Sequence, residues 1–155
     1  MKKTVLISLL CLIIDQLIKN ILLSTMEIGQ SITVIKNFFN ITLVLNNGAA
    51  FSILNSNVLF LIFVSIGALV IIFTYLFKGN NLKQKEYIIY GILVGGILGN
   101  LIDRIFNNSV TDYIDFNIFG YDFPIFNFAD ICIVISMFLI LIDMVRDGKN
   151  ENKSR

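Results

Sequence analysis

The sequence predicts a single-domain, mainly α-helical membrane protein with four transmembrane helices and short strands on its outer surface. Three observations carry that prediction. Apolar residues make up 56% of the 155 positions, mean hydropathy is +0.81, and only 15% of residues are charged, against about a quarter in an ordinary soluble domain. Four apolar segments approach the ~20 helical residues needed to cross a hydrocarbon core of ~30 Å. The basic residues gather at alternate ends of those segments.

The first span covers about residues 4–23. It follows Lys2 and Lys3 as a secretory signal would, but its apolar stretch is long, contains Asp15 and Lys19 and lacks a small-residue cleavage site, so a retained helix is expected. The connection at about 24–56 holds SITVIKNFFNITLVL, whose β-branched and aromatic residues alternate imperfectly and predict short strands lying on the membrane. A second span, about 57–77, is apolar throughout and is assigned no chemistry. The third, about 87–106, reads YIIYGILVGGILGNLIDRIF, with Gly91, Gly95 and Gly99 spaced by four as in closely packed membrane helices. After a connection at about 107–127, FNFADICIV opens the fourth span at about 128–145, with Asn127 as N-cap, Asp130 as the acid of a capping box, and Phe126 stapling onto Ile131. The tail DGKNENKSR, residues 147–155, is polar enough to be disordered.

Orientation follows from the flanking cations. Lys2 and Lys3, then Lys78, Lys83 and Lys85, then Arg146, Lys149, Lys153 and Arg155 all fall on one side of a four-span chain. Both termini are therefore expected in the cytoplasm, and the two long connections face outward.

Composition removes several chemistries. A net charge of +1 gives no sign of a nucleic-acid partner, and the absence of histidine rules out Ser-His-Asp and Cys-His nucleophiles and every His-ligated metal site. Cys11 and Cys132 lie in apolar runs and read as small hydrophobes. An ionisable group inside a span costs on the order of 2.5–3.5 kcal/mol even on mild scales, so each needs a reason. Asp15 and Lys19 stand four apart on one helix face, acid first, either as a self-neutralised pair or as a support for a polar outer site. Asn100, Asp103 and Arg104 follow where the third span nears the outer surface, with a local Asp103 and Arg104 charge pair as the plain reading and carboxylate or carbonyl recognition by Arg104 as the functional one.

Four of the eight aspartates fall within VTDYIDFNIFGYDFPIFNFAD. Such a cluster at an outer face leaves paired-carboxylate catalysis, in which two close aspartates share a proton, one acting on water and the other donating to a carbonyl oxygen, with no metal. The pattern favours Asp130, at a helix N-terminus, with either Asp112 or Asp115. Asp122, between Gly120 and Pro124, reads as a solvated turn residue. Two other classes fit parts of the pattern: a small transporter using Asp15, Lys19 and Asp103 as a relay, and a noncatalytic lipid-binding scaffold.

The ordered motifs DQLIK, NNGAAFS, GNLIDR, VTDYID and FNFAD, running from Asp15 to Asp130, together resemble the bacterial lipoprotein signal peptidases, also called signal peptidase II. The resemblance implies an intramembrane aspartic endopeptidase of the bacterial cytoplasmic membrane, without cofactor. Such an enzyme removes the signal peptide of a prolipoprotein just before its diacylglyceryl-modified cysteine. It implies Asp112 and Asp130 as the catalytic pair, leaving Asp115 aside, and Asp15, Lys19, Asn46, Gly48, Asn100, Arg104, Val110, Asn127 and Ala129 as supporting positions. It further implies a β cradle on the outer face beside a surface-lying loop or helix, with prolipoprotein and membrane lipid as partners and a monomer as the working unit. Family members often carry tryptophan at the membrane interface. This chain has none, and Tyr113, Tyr121 and the phenylalanines are expected to substitute.

Overall fold

A computed structural model describes residues 1–48, 57–78 and 82–153. Helix α1 is Lys2–Thr25, α2 is Val58–Phe77, α3 is Gln84–Asn107 and α4 is Phe128–Lys153. All four are long and apolar enough to cross a membrane, and each starts within a few residues of its expected position. The fourth differs at its end, because the backbone of the polar tail expected to be disordered remains helical to Lys153. Extending an established helix costs far less than nucleating one, so a polar tail inherits the helix of the span before it.

Helix α3 is central, and glycines let its neighbours approach. A Cβ at Gly91 would lie 2.9 Å from Ile7 Cβ, one at Gly95 would lie 2.6 Å from Cys11 Cβ, and one at Gly99 would meet the Asp15 carboxylate. This stripe seats α1. Gly96, one position round, does the same for α4, where a Cβ would come within 2.6 Å of the Ala129 carbonyl oxygen. Helix α2 is peripheral and packs chiefly on α3, with Leu61 and Leu76 buried and Tyr75 against Tyr90. At the other end of the bundle from the strands, Lys85 pairs with Asp143 and joins α3 to α4.

Residues of the connections before α2 and before α4 form one antiparallel sheet in the order β1 (Ser31–Ile35), β2 (Phe39–Asn46), β3 (Val110–Ile118) and β4 (Tyr121–Asp122). Asn108, in a left-handed conformation at φ 52°, ends α3 and turns the chain straight into β3. A register shift in β2 between Ile41 and Val44 re-aims its second half, so that Val44 faces Asp112 and Asn46 faces Val110. Phe39 and Phe123 flank a row in which Phe116 stacks on Phe39 and Phe126. Tyr121 is exposed, as an interfacial anchor would be. Tyr113, expected in the same role, is buried instead, and its hydroxyl oxygen accepts the Phe128 backbone N–H at 3.2 Å where α4 begins. The backbone requirement at a helix start outweighs anchoring there, since buried N–H groups need partners.

Two glycine substitutions should move stability in opposite directions. Gly95→Ala should lower the melting temperature in detergent, by the equivalent of roughly 1–3 kcal/mol of overpacking. Gly67→Ala, in α2 with nothing within 4 Å of a new Cβ, should raise it by roughly 0.5–1 kcal/mol through helix propensity. Circular dichroism melts of the two variants beside the parent chain check the pair.

Candidate active site

Asp15 and Lys19 stand one turn apart on the packed face of α1, at 0% and 1% exposure. An unpaired ammonium there would cost several kcal/mol. Lys19 Nζ instead lies 2.8 Å from Asp15 Oδ2 and 2.8 Å from Asp103 Oδ2, and it donates to Asn100 Oδ1 at 3.0 Å. Three acceptors on two helices thus match the three ammonium hydrogens. Asp103 turns inward to Lys19, not sideways to Arg104, because the buried cation has no solvent to fall back on.

Each partner of Lys19 reaches a further element. Asp15 Oδ1 accepts the Ala129 N–H at 3.0 Å in the first turn of α4. Asp103 Oδ2 accepts the Thr111 N–H at 3.2 Å, fixing the start of β3, and its Oδ1 accepts from Gln16 Nε2 at 2.9 Å. Asn100 Nδ2 donates to Asp130 Oδ1 at 2.8 Å. The buried charges therefore hold α1, α3, β3 and α4 in one polar cluster.

Asp112 and Asp130 are brought together across this cluster by Asn127. The Asn127 side-chain amide donates to Asp112 Oδ1 at 2.7 Å and to Asn100 Oδ1 at 3.1 Å. Its carbonyl oxygen accepts the Asp130 N–H at 2.9 Å, while Asp130 Oδ2 accepts the Asn127 N–H at 3.1 Å. This is the reciprocal capping box expected from FNFAD, and the cap that starts α4 also orients both carboxylates. From β2, Asn46 Nδ2 donates to Asp112 Oδ2 at 2.8 Å. The re-aimed half of that strand is what puts Asn46 within reach.

The pair lines a cavity of about 530 Å³ with the polar side chains of Asn46, Asn100 and Arg104 and the apolar ones of Val110, Phe123–Phe126, Ile131, Ile133, Val134 and Ile135. Arg104 lies 3.5 Å from the Gly48 and Asn100 carbonyl oxygens. Val134 and Ile135 are also exposed on the outside of α4, so the cavity adjoins an exposed apolar surface of that helix. Burial raises the Asp112 carboxyl to about 6, and the nearby Asp130 charge adds to that rise, while the Asn46 and Asn127 amides and Lys19 oppose it. Burial also pushes the Tyr113 phenol up.

Asp15, Lys19, Asn46, Gly48, Asn100, Asp103, Arg104, Val110, Asn127 and Ala129 thus gather with Asp112 and Asp130 in a single region. Asp115 lies elsewhere, paired with Asn40 across the sheet and accepting from Thr42 Oγ1 at 2.6 Å. Asp122 is exposed in β4. Residues 49–52 of NNGAAFS lie outside the described residues. The sequence reading missed Gln16, which bonds Asp15, Asp103 and the Gly99 carbonyl. Its place inside DQLIK was the only local signal. It also missed the apolar cavity wall, whose residues look like any others in an oily chain.

A match to the family described as signal peptidase (SPase) II extends over residues 7–146. The chain belongs to the signal peptidase II family. It is 40% identical over 148 residues to the lipoprotein signal peptidase of Staphylococcus haemolyticus (strain JCSC1435), covering 96% of this chain and 94% of that protein. To the lipoprotein signal peptidase of Staphylococcus aureus (strain Newman) it is 41% identical over 150 residues, covering 97% and 92%. Among solved structures, a bacterial membrane enzyme determined in meso at 2.3 Å resolution superposes with a TM-score of 0.89 at 40% identity, covering 97% of this chain and 92% of that one. A second such structure, at 1.9 Å resolution, gives a TM-score of 0.85 at 40% identity, covering 95% of each.

The buried cation makes a testable demand. Lys19→Met leaves Asp15 and Asp103 without their shared counterion and should destabilise the protein by about 3–5 kcal/mol. Adding Asp103→Asn to Lys19→Met should recover part of that loss. Thermal unfolding of both variants in one detergent checks the order.

Proposed function

We propose that Asp112 and Asp130 are the catalytic pair with which this lipoprotein signal peptidase removes the signal peptide of a prolipoprotein, cutting on the amino side of the diacylglyceryl-modified cysteine. The observation that carries the reading is Asn127, whose side-chain amide bonds the Asp112 carboxylate and whose backbone N–H bonds the Asp130 carboxylate, both carboxylates lining one cavity with an apolar wall. In this reading Asp112 holds the shared proton, in keeping with its burial. Asp130 carries the negative charge, beside the Asn127 N–H, the Asn100 amide and the positive end of α4. The two titrate as a coupled pair.

Asp130 takes a proton from water as its oxygen attacks the carbonyl carbon of the scissile peptide, and Asp112 gives its proton to the carbonyl oxygen. A neutral gem-diol results. Asp112 then recovers a proton from one hydroxyl as the carbonyl re-forms. Asp130 delivers its proton to the departing nitrogen, the C–N bond breaks, and both carboxyls return to their starting states. No metal or organic cofactor enters the step. Arg104 and Asn46, at the cavity edge, are suited to hold peptide carbonyls, and the adjoining exposed apolar surface of α4 suits a substrate whose acyl chains stay in the bilayer. The chain works as a monomer with both termini in the cytoplasm and the pair near the outer face. A transporter reading is less well supported, since Asp15, Lys19 and Asp103 are closed into bonds with one another.

Cleavage of a purified diacylglyceryl-modified prolipoprotein tests the assignment. Asp112→Asn and Asp130→Asn should each lose at least about a thousandfold in kcat while folding and inserting normally, because the shared proton needs both groups. Activity kept by either folded variant would overturn the pair.

The pH profile supplies a second check. Asp112 must be protonated to act as acid, so kcat/KM of the parent enzyme should fall as pH rises above about 6. The Asn46 amide holds the Asp112 value down. Its removal in Asn46→Val should therefore move the falling limb toward higher pH, by up to about one unit.

A further inference from the structure

The catalytic reading leaves Asp115 and Asp122 without a role, and both line a second, larger cavity. Its volume is about 1090 Å³, and Thr33, Lys36, Asn40, Asp115, Asn117 and Asp122 supply its polar surface. Cross-strand pairing explains the grouping. Thr33 is opposite Asn40, and Asn40 is opposite Asp115, so the three side chains share one face of the sheet. The bonds from Ser31 to Thr42 and from Thr42 to Asp115 mark the same face. Asn117 pairs with Asp122 on the last strand. A polar ladder therefore crosses all four strands.

Phe123, Pro124 and Ile125 line both this cavity and the one that holds Asp112 and Asp130. The segment between β4 and α4 is thus a shared wall with the carboxylate pair on one side and the polar ladder on the other. A chain that leaves the first cavity over Pro124 meets β4 first, then β3, β2 and β1.

We propose that the polar cavity is the docking site for the prolipoprotein residues that immediately follow the modified cysteine, held as an extended segment across the sheet. The proposal rests on the reading that the enzyme cuts on the amino side of that cysteine. With the acyl chains in the bilayer and the cut at the shared wall, the following residues must run outward into water, and this cavity adjoins that exit. Four strands about 4.8 Å apart span roughly 14 Å, the reach of about four extended residues. Asn40, Asn117 and Thr33 suit a neutral, hydrogen-bonding segment. Asp122 and Asp115 come before Lys36 in the path, so a basic side chain two or three residues past the cysteine is favoured over an acidic one.

The test uses diacylglyceryl-modified peptides that end in an amide at the cysteine or continue for five residues of serine, glycine and asparagine. Two more carry lysine or glutamate at the third added position. With the parent enzyme, the extended peptide should have a lower KM than the truncated one. The lysine peptide should exceed the glutamate peptide in kcat/KM by about three- to fivefold at low salt, the scale of a partly exposed charge pair, and salt should erode that ratio. Asp115→Asn should bring the ratio close to one, and Asp122→Asn should reduce it, which serves if the first variant fails to fold. Equal kcat/KM for all the peptides in the parent enzyme, or a ratio unchanged in both variants, would overturn the proposal and leave the ladder as a solvated sheet face. Product mass separates this from the reading beneath it. If the truncated peptide is not cut before its cysteine, the catalytic reading itself fails and the docking site falls with it.

Discussion

The arrangement of this molecule depends on keeping one positive charge inside a membrane protein. Lys19 has lost its water, and only well-placed acceptors make that tolerable. Asp15, Asp103 and Asn100 supply them. Because each acceptor also bonds a separate element, neutralising the lysine fixes where α4 starts, where β3 leaves α3, and where Asn100 meets Asp130. An ion within a span that would be a liability in an isolated helix becomes the point from which the site is positioned.

Glycine makes this geometry accessible. Side chains as short as aspartate can share a counterion across helices only if the backbones come very close, and Gly95, Gly96 and Gly99 remove the atoms that would prevent it. Gly99 has a direct chemical consequence, since the space a Cβ would occupy is filled by the Asp15 carboxylate. Packing and electrostatics are here one constraint: a small-residue stripe lets the buried ions meet, and the meeting ions hold the stripe together.

The sheet adds what four helices alone lack. The first residues of β3, Val110 to Tyr113, are all buried, so side chains on both faces of the strand lose their water. Asp112 therefore arrives with its water removed and its oxygens already engaged by two amides. Such an environment favours the protonated form of the Asp112 carboxyl. The same sheet turns its polar ladder away from Asp112, so one element carries a buried carboxyl on one face and a polar ladder on the other.

Much of this was legible in the sequence for local reasons. Span length, charge flanks and the four-residue glycine spacing depend on neighbours along the chain, and they gave four helices and a close helix contact. The Asn127 and Asp130 cap is a three-residue interaction and could be read for the same reason. The ordered motifs, compared as a set with a known family, distinguished Asp112 from Asp115, which spacing by itself left equal. Tertiary structure decided what depends on distant partners. Asp103 belongs to Lys19 and not to adjacent Arg104, because burial rewards the partner with no water and not the nearest in sequence. Tyr113 caps a helix rather than resting at the membrane surface, because a buried N–H needed an acceptor. Gln16 and the apolar wall became visible only when α1, α3 and α4 closed together, since a side chain's role in a membrane interior is set by which groups replace its water.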